Sequence, residues 1–212
     1  MARGKFITFE GGEGAGKSTQ LRLLAGALSR SGVPVCITRE PGGSPGAEEI
    51  RSLLVTGTED RWDPLCEALL HFAARADHMR RLILPRLDAG DWVLSDRFAD
   101  STMAYQGYAQ GLGREPVEVL CALVLKDFAP DLTLVLDLPV ETGLARAAER
   151  EDGEDRYERL GRTFHERLRE AFLDIARREP ERCAVIEAGG DLNAVQSAIC
   201  ATVGERLGIS FA

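Results

Sequence analysis

The chain has 212 residues, 44% hydrophobic and 28% charged, enough for one substantial core and too few for two. A net charge of −8 argues against a broad nucleic-acid or anionic-membrane face, and no apolar run approaches the ~18 residues that span a bilayer. Five scattered cysteines without a CxxC pair and three histidines without metal spacing predict free thiols in a reducing cytosol.

In chain order, Arg3 and Lys5 lead into a short buried strand over 5–10 rather than a signal peptide. Directly behind it, Gly11-Gly12-Glu13-Gly14-Ala15-Gly16-Lys17-Ser18-Thr19 fits GxxxxGK[ST], the phosphate-binding loop. Glycines let backbone N–H groups close in on phosphates, and a helix running from near Gly16 to about Arg30 adds its positive end. Lys17 is placed for the β/γ-phosphates and Ser18 for Mg²⁺. Lysine is rare here (Lys5, Lys17 and Lys126 among 26 basic residues), so Lys17 is not background. The dinucleotide pattern GxGxxG fails, because Lys17 holds its third glycine position. The loop predicts a nucleoside triphosphate site.

Residues 33–38 read as a second strand, followed by the turn-rich Arg39-Glu40-Pro41-Gly42-Gly43. Helices are predicted over 47–55 and 64–88, with Pro85 able to bend the second. A third strand, 91–95, ends at Asp96-Arg97; helices over 100–108 and 116–128 follow. The fourth strand, 132–136, ends at Asp137, and Pro139 opens a helix to about Arg150. After the charged stretch 146–162 come a helix to about Arg178, a strand over 184–187 and a last helix opening at Asp191. Five apolar strands alternating with helices predict a single α/β domain over 1–212, a five-stranded parallel sheet covered on both faces. Ligands in such sheets bind beyond the carboxyl ends of the strands, where Glu13/Lys17, Arg39/Glu40 and Asp96/Arg97 fall.

Further constellations narrow the chemistry. Asp96 can hold Mg²⁺ and Arg97 a second phosphate group, whereas Asp137, beside Pro139, reads first as a helix cap. Phe72 and Arg75 share a helix face, so a ring can stack on a base while a guanidinium donates to its carbonyl edge; alone, Phe72 is as readily core. Ser101-Thr102-Met103-Ala104-Tyr105-Gln106-Gly107 sets hydroxyls and an amide just past Asp96-Arg97. Arg146, Arg150 and Arg156, around Gly153, can close over a triphosphate as a lid at about 146–158. These residues by themselves define a phosphoryl transferase acting on an anionic acceptor. A kinase for another monophosphate and a non-catalytic nucleotide switch remain the alternatives, the switch fitting poorly because it needs only one pocket.

The blocks Phe9-Glu10-Gly11 through Thr19, Thr38-Arg39-Glu40-Pro41-Gly42-Gly43, Asp96-Arg97 and Ala104-Tyr105-Gln106-Gly107 together resemble bacterial thymidylate kinases, in order and spacing, over residues 5 to about 208. The resemblance implies a nucleoside monophosphate kinase-like fold and transfer of the γ-phosphoryl group of ATP to dTMP with Mg²⁺, in a cytoplasmic homodimer. It implies that Phe72 stacks on thymine, Arg75 binds its carbonyl edge, Arg97 holds the dTMP phosphate and Arg39 and Glu40 arrange that end. Glu13 would lie near the acceptor's sugar and phosphate, Ser101, Thr102, Tyr105 and Gln106 would line the nucleoside pocket, and Asp96 would serve Mg²⁺. Family members carry a catalytic arginine either in the phosphate loop or in the lid; Gly14 holds the loop position, so Arg150 is favoured, with Arg146 and Arg156 as candidates. Phe98 departs from the polar aromatic or imidazole ring usual in the family, so the hydrogen bond from that position has no side-chain donor here.

Overall fold

The computed structural model describes residues 3–148, 156–157 and 159–211. Its strands are β1 (Phe6–Glu10), β2 (Val35–Arg39), β3 (Trp92–Asp96), β4 (Leu132–Asp137) and β5 (Cys183–Glu187). Its α-helices are α1 (Lys17–Arg30), α2 (Pro45–Val55), α3 (Pro64–His78), α4 (Leu84–Asp88), α5 (Ala99–Thr102), α6 (Arg114–Val124), α7 (Val140–Ala148), α8 (Arg162–Arg178) and α9 (Leu192–Leu207).

All strand pairs are parallel, in the order β2-β3-β1-β4-β5. β1 is wholly buried because helices cover both faces of the sheet, which is why such strands are apolar without alternation. On one face, Leu21, Leu24 and Leu28 of α1 and Val195, Ile199 and Val203 of α9 pack on Ile7, Phe9, Leu94 and Leu134. On the other, Leu168, Phe172 and Ile175 of α8 pack with Met103, Tyr105 and Val135. A smaller cluster joins Phe6 to Phe98 and Phe128, with ring centroids 5.0 and 5.4 Å away. After β1 the chain crosses to β2 and returns through β3, and β4 then pairs on β1's other edge. β1 therefore lies at the topological switch point, and the loop leaving its carboxyl end faces the crevice.

Two predicted helices are interrupted. The run from 64 to 88 contains a π-helical turn, Met79–Ile83, just ahead of Pro85. Proline supplies no N–H, and a widened turn is one way a helix re-pairs its carbonyls around that gap. The run beginning at 99 passes from α5 into a second π-helical turn, Met103–Ala109, which carries Tyr105 and Gln106. α6 stops at Val124 instead of 128, since Lys126 adopts the left-handed conformation with φ 55°.

Candidate active site

The phosphate loop is shaped by its glycines. Gly14 has φ 66°, and a Cβ there would lie 1.9 Å from the carbonyl oxygen of Gly143 in α7, so no side chain fits. Lys17, at the start of α1, donates to the carbonyls of Gly11 and Gly12 at 3.1 and 2.7 Å. Burial, helped by the charge of Arg97, pushes its pKa down to about 8. The Ser18 hydroxyl donates to the Asp96 carboxylate. These two hard oxygens fit Mg²⁺, which binds through one or two carboxylates plus substrate phosphates and water. Among the described residues, no group of three or more His, Cys, Asp or Glu side chains could hold a metal alone. Asp137 is engaged elsewhere, accepting from Arg169 at 2.6 and 2.8 Å.

Arg97 stands at the centre of the cleft with φ 70°, an uncommon conformation for a side chain of this size. Its guanidinium donates to Gly11 O and Ser101 Oγ at 3.1 Å each and to Glu13 Oε1 at 2.9 Å, and it lies 5.0 Å over the Tyr105 ring. Glu10, not expected as a site residue, holds this turn from beneath. Its buried carboxyl accepts from Phe98 N at 2.8 Å and Ser101 Oγ at 2.6 Å, and burial together with Asp100 raises its pKa to about 8. Burial would also raise Glu13, but the charges of Arg97 and Lys17 and the Tyr105 hydroxyl outweigh it and hold that carboxyl at about 2. Only its place at the end of an apolar run, just before the phosphate loop, marks Glu10 in the sequence; the contacts reveal its role.

At the far end, Arg75 is almost fully buried. Its Nε donates to Glu40 Oε2 at 2.7 Å, and its Nη2 to Phe98 O and Thr102 Oγ1 at 3.1 Å each. The other Glu40 oxygen lies 3.0 Å from His78 Nδ1, and His78 Nε2 reaches Thr38 at 2.7 Å. Glu40 thus borders the cleft with both oxygens engaged, and the Thr102 hydroxyl serves Arg75 rather than the cleft. Arg39 is exposed at the rim, paired with Glu48 at 3.1 Å. Phe98 is buried, with the Arg75 guanidinium 5.2 Å over its ring.

Besides Thr102, two expectations need correction. Phe72 does not face the cleft: it is buried with Met103, Leu168 and Phe172. His71, one residue earlier and one turn before Arg75, lines the cleft instead. Burial and the neighbouring Arg75, Arg156 and Arg97 push its pKa down to about 3, so the imidazole is neutral at physiological pH. Both residues have stacking rings at helical spacing from Arg75, so only the burial of Phe72 in an apolar cluster separates them. Arg156 is also not placed as a lid arginine. It is buried, donating to the carbonyls of Leu54, Thr58 and Glu59 at 3.0, 2.9 and 3.0 Å and to Glu67 Oε2 at 2.6 Å. Arg146 lines the cleft with an exposed side chain, and Arg150 lies outside the described residues.

The cleft encloses about 720 Å³ and runs continuously from Lys17, Ser18 and Asp96 past Arg97 to Arg75 and Gln106. A phosphate loop at one end of a parallel sheet's crevice, with an arginine-floored second compartment in line with it, defines the class as a phosphate-loop kinase of small anionic acceptors. The family model for thymidylate kinase matches residues 9–199. Thymidylate kinase of Caulobacter vibrioides is 57% identical over 99% of this chain and 100% of its own length, and that of Bradyrhizobium sp. (strain ORS 278) is 49% identical over 97% and 92%. The solved thymidylate kinase of Ehrlichia chaffeensis matches with a TM-score of 0.76 at 36% identity, covering 95% of this chain and 99% of that one. The chain belongs to the thymidylate kinase family, whose reaction is phosphorylation of dTMP to dTDP by ATP. No helix among the described residues is long and apolar enough to cross a membrane.

Proposed function

We propose that the cleft holds ATP and dTMP tail to tail, with the transferring phosphoryl group between Lys17 and Arg97. The observation that carries this reading is the place of Arg97, strained and many-bonded, between the phosphate loop and the compartment of Arg75. The loop Gly11–Thr19 cradles the ATP phosphates, and Lys17 exchanges its two carbonyl partners for phosphate oxygens. Ser18 and Asp96 would hold Mg²⁺, which would offset the charge of the ATP phosphates. Arg97 holds the dTMP phosphate, with Arg39 at the same end and Glu13 and Ser101 orienting the guanidinium. Arg75 binds the base's carbonyl edge, and His71, in place of Phe72, supplies the ring beside the base. Tyr105 crowds the 2′ position, and Gln106 lines the base pocket.

The acceptor is already an anion, so little proton movement is needed. Rate comes from alignment and from charge set where the transition state needs it. Arg150 and Arg146, at the lid, complete that charge. Exposed Leu65 and Leu69 of α3 and Val119 and Leu123 of α6 support a homodimer through these helices. Five free cysteines support a reducing, cytoplasmic setting.

The test is ADP release from ATP·Mg²⁺ with dTMP, dUMP, dCMP, AMP, GMP, CMP or no acceptor. Turnover is expected to be strongest with dTMP and near zero without acceptor. A different preferred monophosphate would overturn the roles given to His71, Arg75 and Gln106 while keeping the transfer site.

A further inference from the structure

We infer that Glu67, which lines no part of the cleft, sets which pyrimidine is accepted by fixing the orientation of the Gln106 amide. The inference rests on the reading that Arg75 and Gln106 face the base.

Glu67 lies on α3 with no exposed surface, and a charge so placed must be paired and hydrogen-bonded. Its Oε2 accepts from Arg156 Nη2 at 2.6 Å. Its Oε1 accepts from Gln106 Nε2 at 2.6 Å, Gln110 Nε2 at 2.9 Å and the Tyr157 hydroxyl at 3.0 Å. A carboxylate paired with a guanidinium only accepts hydrogen bonds. Reversing the Gln106 amide would set its carbonyl oxygen against Glu67 at the same short separation, acceptor against acceptor. Nε2 is therefore held on Glu67, and Oε1 is what remains for a ligand.

That Oε1 is buried without a hydrogen-bond partner among the described residues, and so is Nη1 of Arg75. Both residues line the acceptor end of the cleft. One unpaired donor and one unpaired acceptor match a base edge that carries a carbonyl next to a ring N–H. Thymine and uracil present that edge as O4 and N3–H. Cytosine presents its inverse, an amino group and a bare ring nitrogen, which would set donor against donor at Arg75 and acceptor against acceptor at Gln106. Leaving buried polar groups unpaired is how a site rejects a close analogue strongly. Were the amide free to turn, Gln106 could serve either edge and half of this discrimination would be lost. Glu67 is thus a positioning residue for specificity.

The test is Glu67→Gln, which offers the Gln106 amide a partner in either orientation. Steady-state kinetics with dTMP, dUMP and dCMP at saturating ATP should show the dTMP-to-dCMP ratio of kcat/KM falling about tenfold or more. The change should lie mainly in KM for the pyrimidine nucleotides, with KM for ATP unchanged. The dTMP-to-dUMP ratio should hold, since both bases present the same edge. Parallel losses with all three acceptors, ratios intact, would mean that Glu67 only supports the fold, and would overturn the inference. If Glu67→Gln lacks a cooperative melting transition, Gln106→Leu decides, because it leaves Glu67 paired with Arg156, Gln110 and Tyr157. A collapsed dTMP-to-dCMP ratio supports the inference, and an unchanged one overturns it. Parent enzyme without preference for dTMP over dCMP would instead overturn the base-reading roles themselves, a separate failure.

Discussion

The two ends of the cleft are built by opposite means. At the triphosphate end a single contiguous stretch, Gly11–Thr19, would bind largely with backbone N–H groups, and its buried ammonium, Lys17, leans on carbonyl oxygens. At the acceptor end, Glu40, Arg75, Arg97 and Gln106 arrive from separate segments and are held by buried carboxylate contacts. A site made of backbone survives loss of a side chain; one made of interlocked charges does not.

The largest effect expected on activity follows from that contrast. Lys17→Ala should lower turnover on the order of a thousandfold, as should Arg97→Ala, because each removes charge from the transferring group. Lys17→Ala should leave the melting temperature at or above the parent's, since burial of the ammonium opposes its charged form. A folded, fully active variant at either position would refute its assignment.

Arg75→Ala should behave differently. KM for dTMP is expected to rise roughly ten- to a hundredfold with KM for ATP little changed, the loss of a buried charged donor to substrate. Stability should fall by about 3–5 kcal/mol, because Glu40 is left buried without its ion-pair partner. Denaturant titration beside the kinetics separates the two readouts. Equal loss of affinity for both nucleotides would sink the base-reading role.

The contrast also sets what could be read in advance. The phosphate loop was legible because its chemistry is local: spacing, glycine and one lysine are all adjacent in sequence. The sheet was legible because five apolar runs between helices leave few arrangements. Glu10, Glu40 and Glu67 are another matter, since a carboxylate's role depends on which distant donors meet it. Arg156 shows the same limit. In a stretch rich in charge it read as a solvent-facing lid arginine, and only the carbonyls of residues 54, 58 and 59 and the carboxylate of Glu67 show where its guanidinium goes.

Proton linkage gives a smaller effect, confined to the triphosphate end. Lys17 titrates at about 8 in the free protein, and bound phosphates would raise that value by opposite charge. ATP affinity should then be flat below pH 8 and fall towards tenfold per unit above it, with proton uptake on binding. Calorimetry in buffers of different ionisation enthalpy measures that uptake directly. No uptake at pH 9 would mean that Lys17 stays charged in the free protein.

The smallest expected difference is also the sharpest test of the acceptor end. His71→Ala should raise KM for dTMP a few-fold, roughly a lost aromatic contact, and leave the melting temperature nearly unchanged. Phe72→Leu should do the reverse, costing about 1 kcal/mol of stability through imperfect packing in its apolar cluster while KM stays within about twofold. His71→Phe should retain dTMP affinity, since the imidazole, with its pKa near 3, acts as a neutral ring. The same neutrality predicts imidazole NMR shifts for His71 that stay flat from pH 7.5 to 5 (~two units above its pKa at the lower limit). A titration within that range would show the ring charged beside Arg75, and the platform role would fall with it. If Phe72→Leu moved KM and His71→Ala moved only stability, the helix face facing the base would be the one first read from the sequence, and the burial of Phe72 in its apolar cluster would not persist in solution.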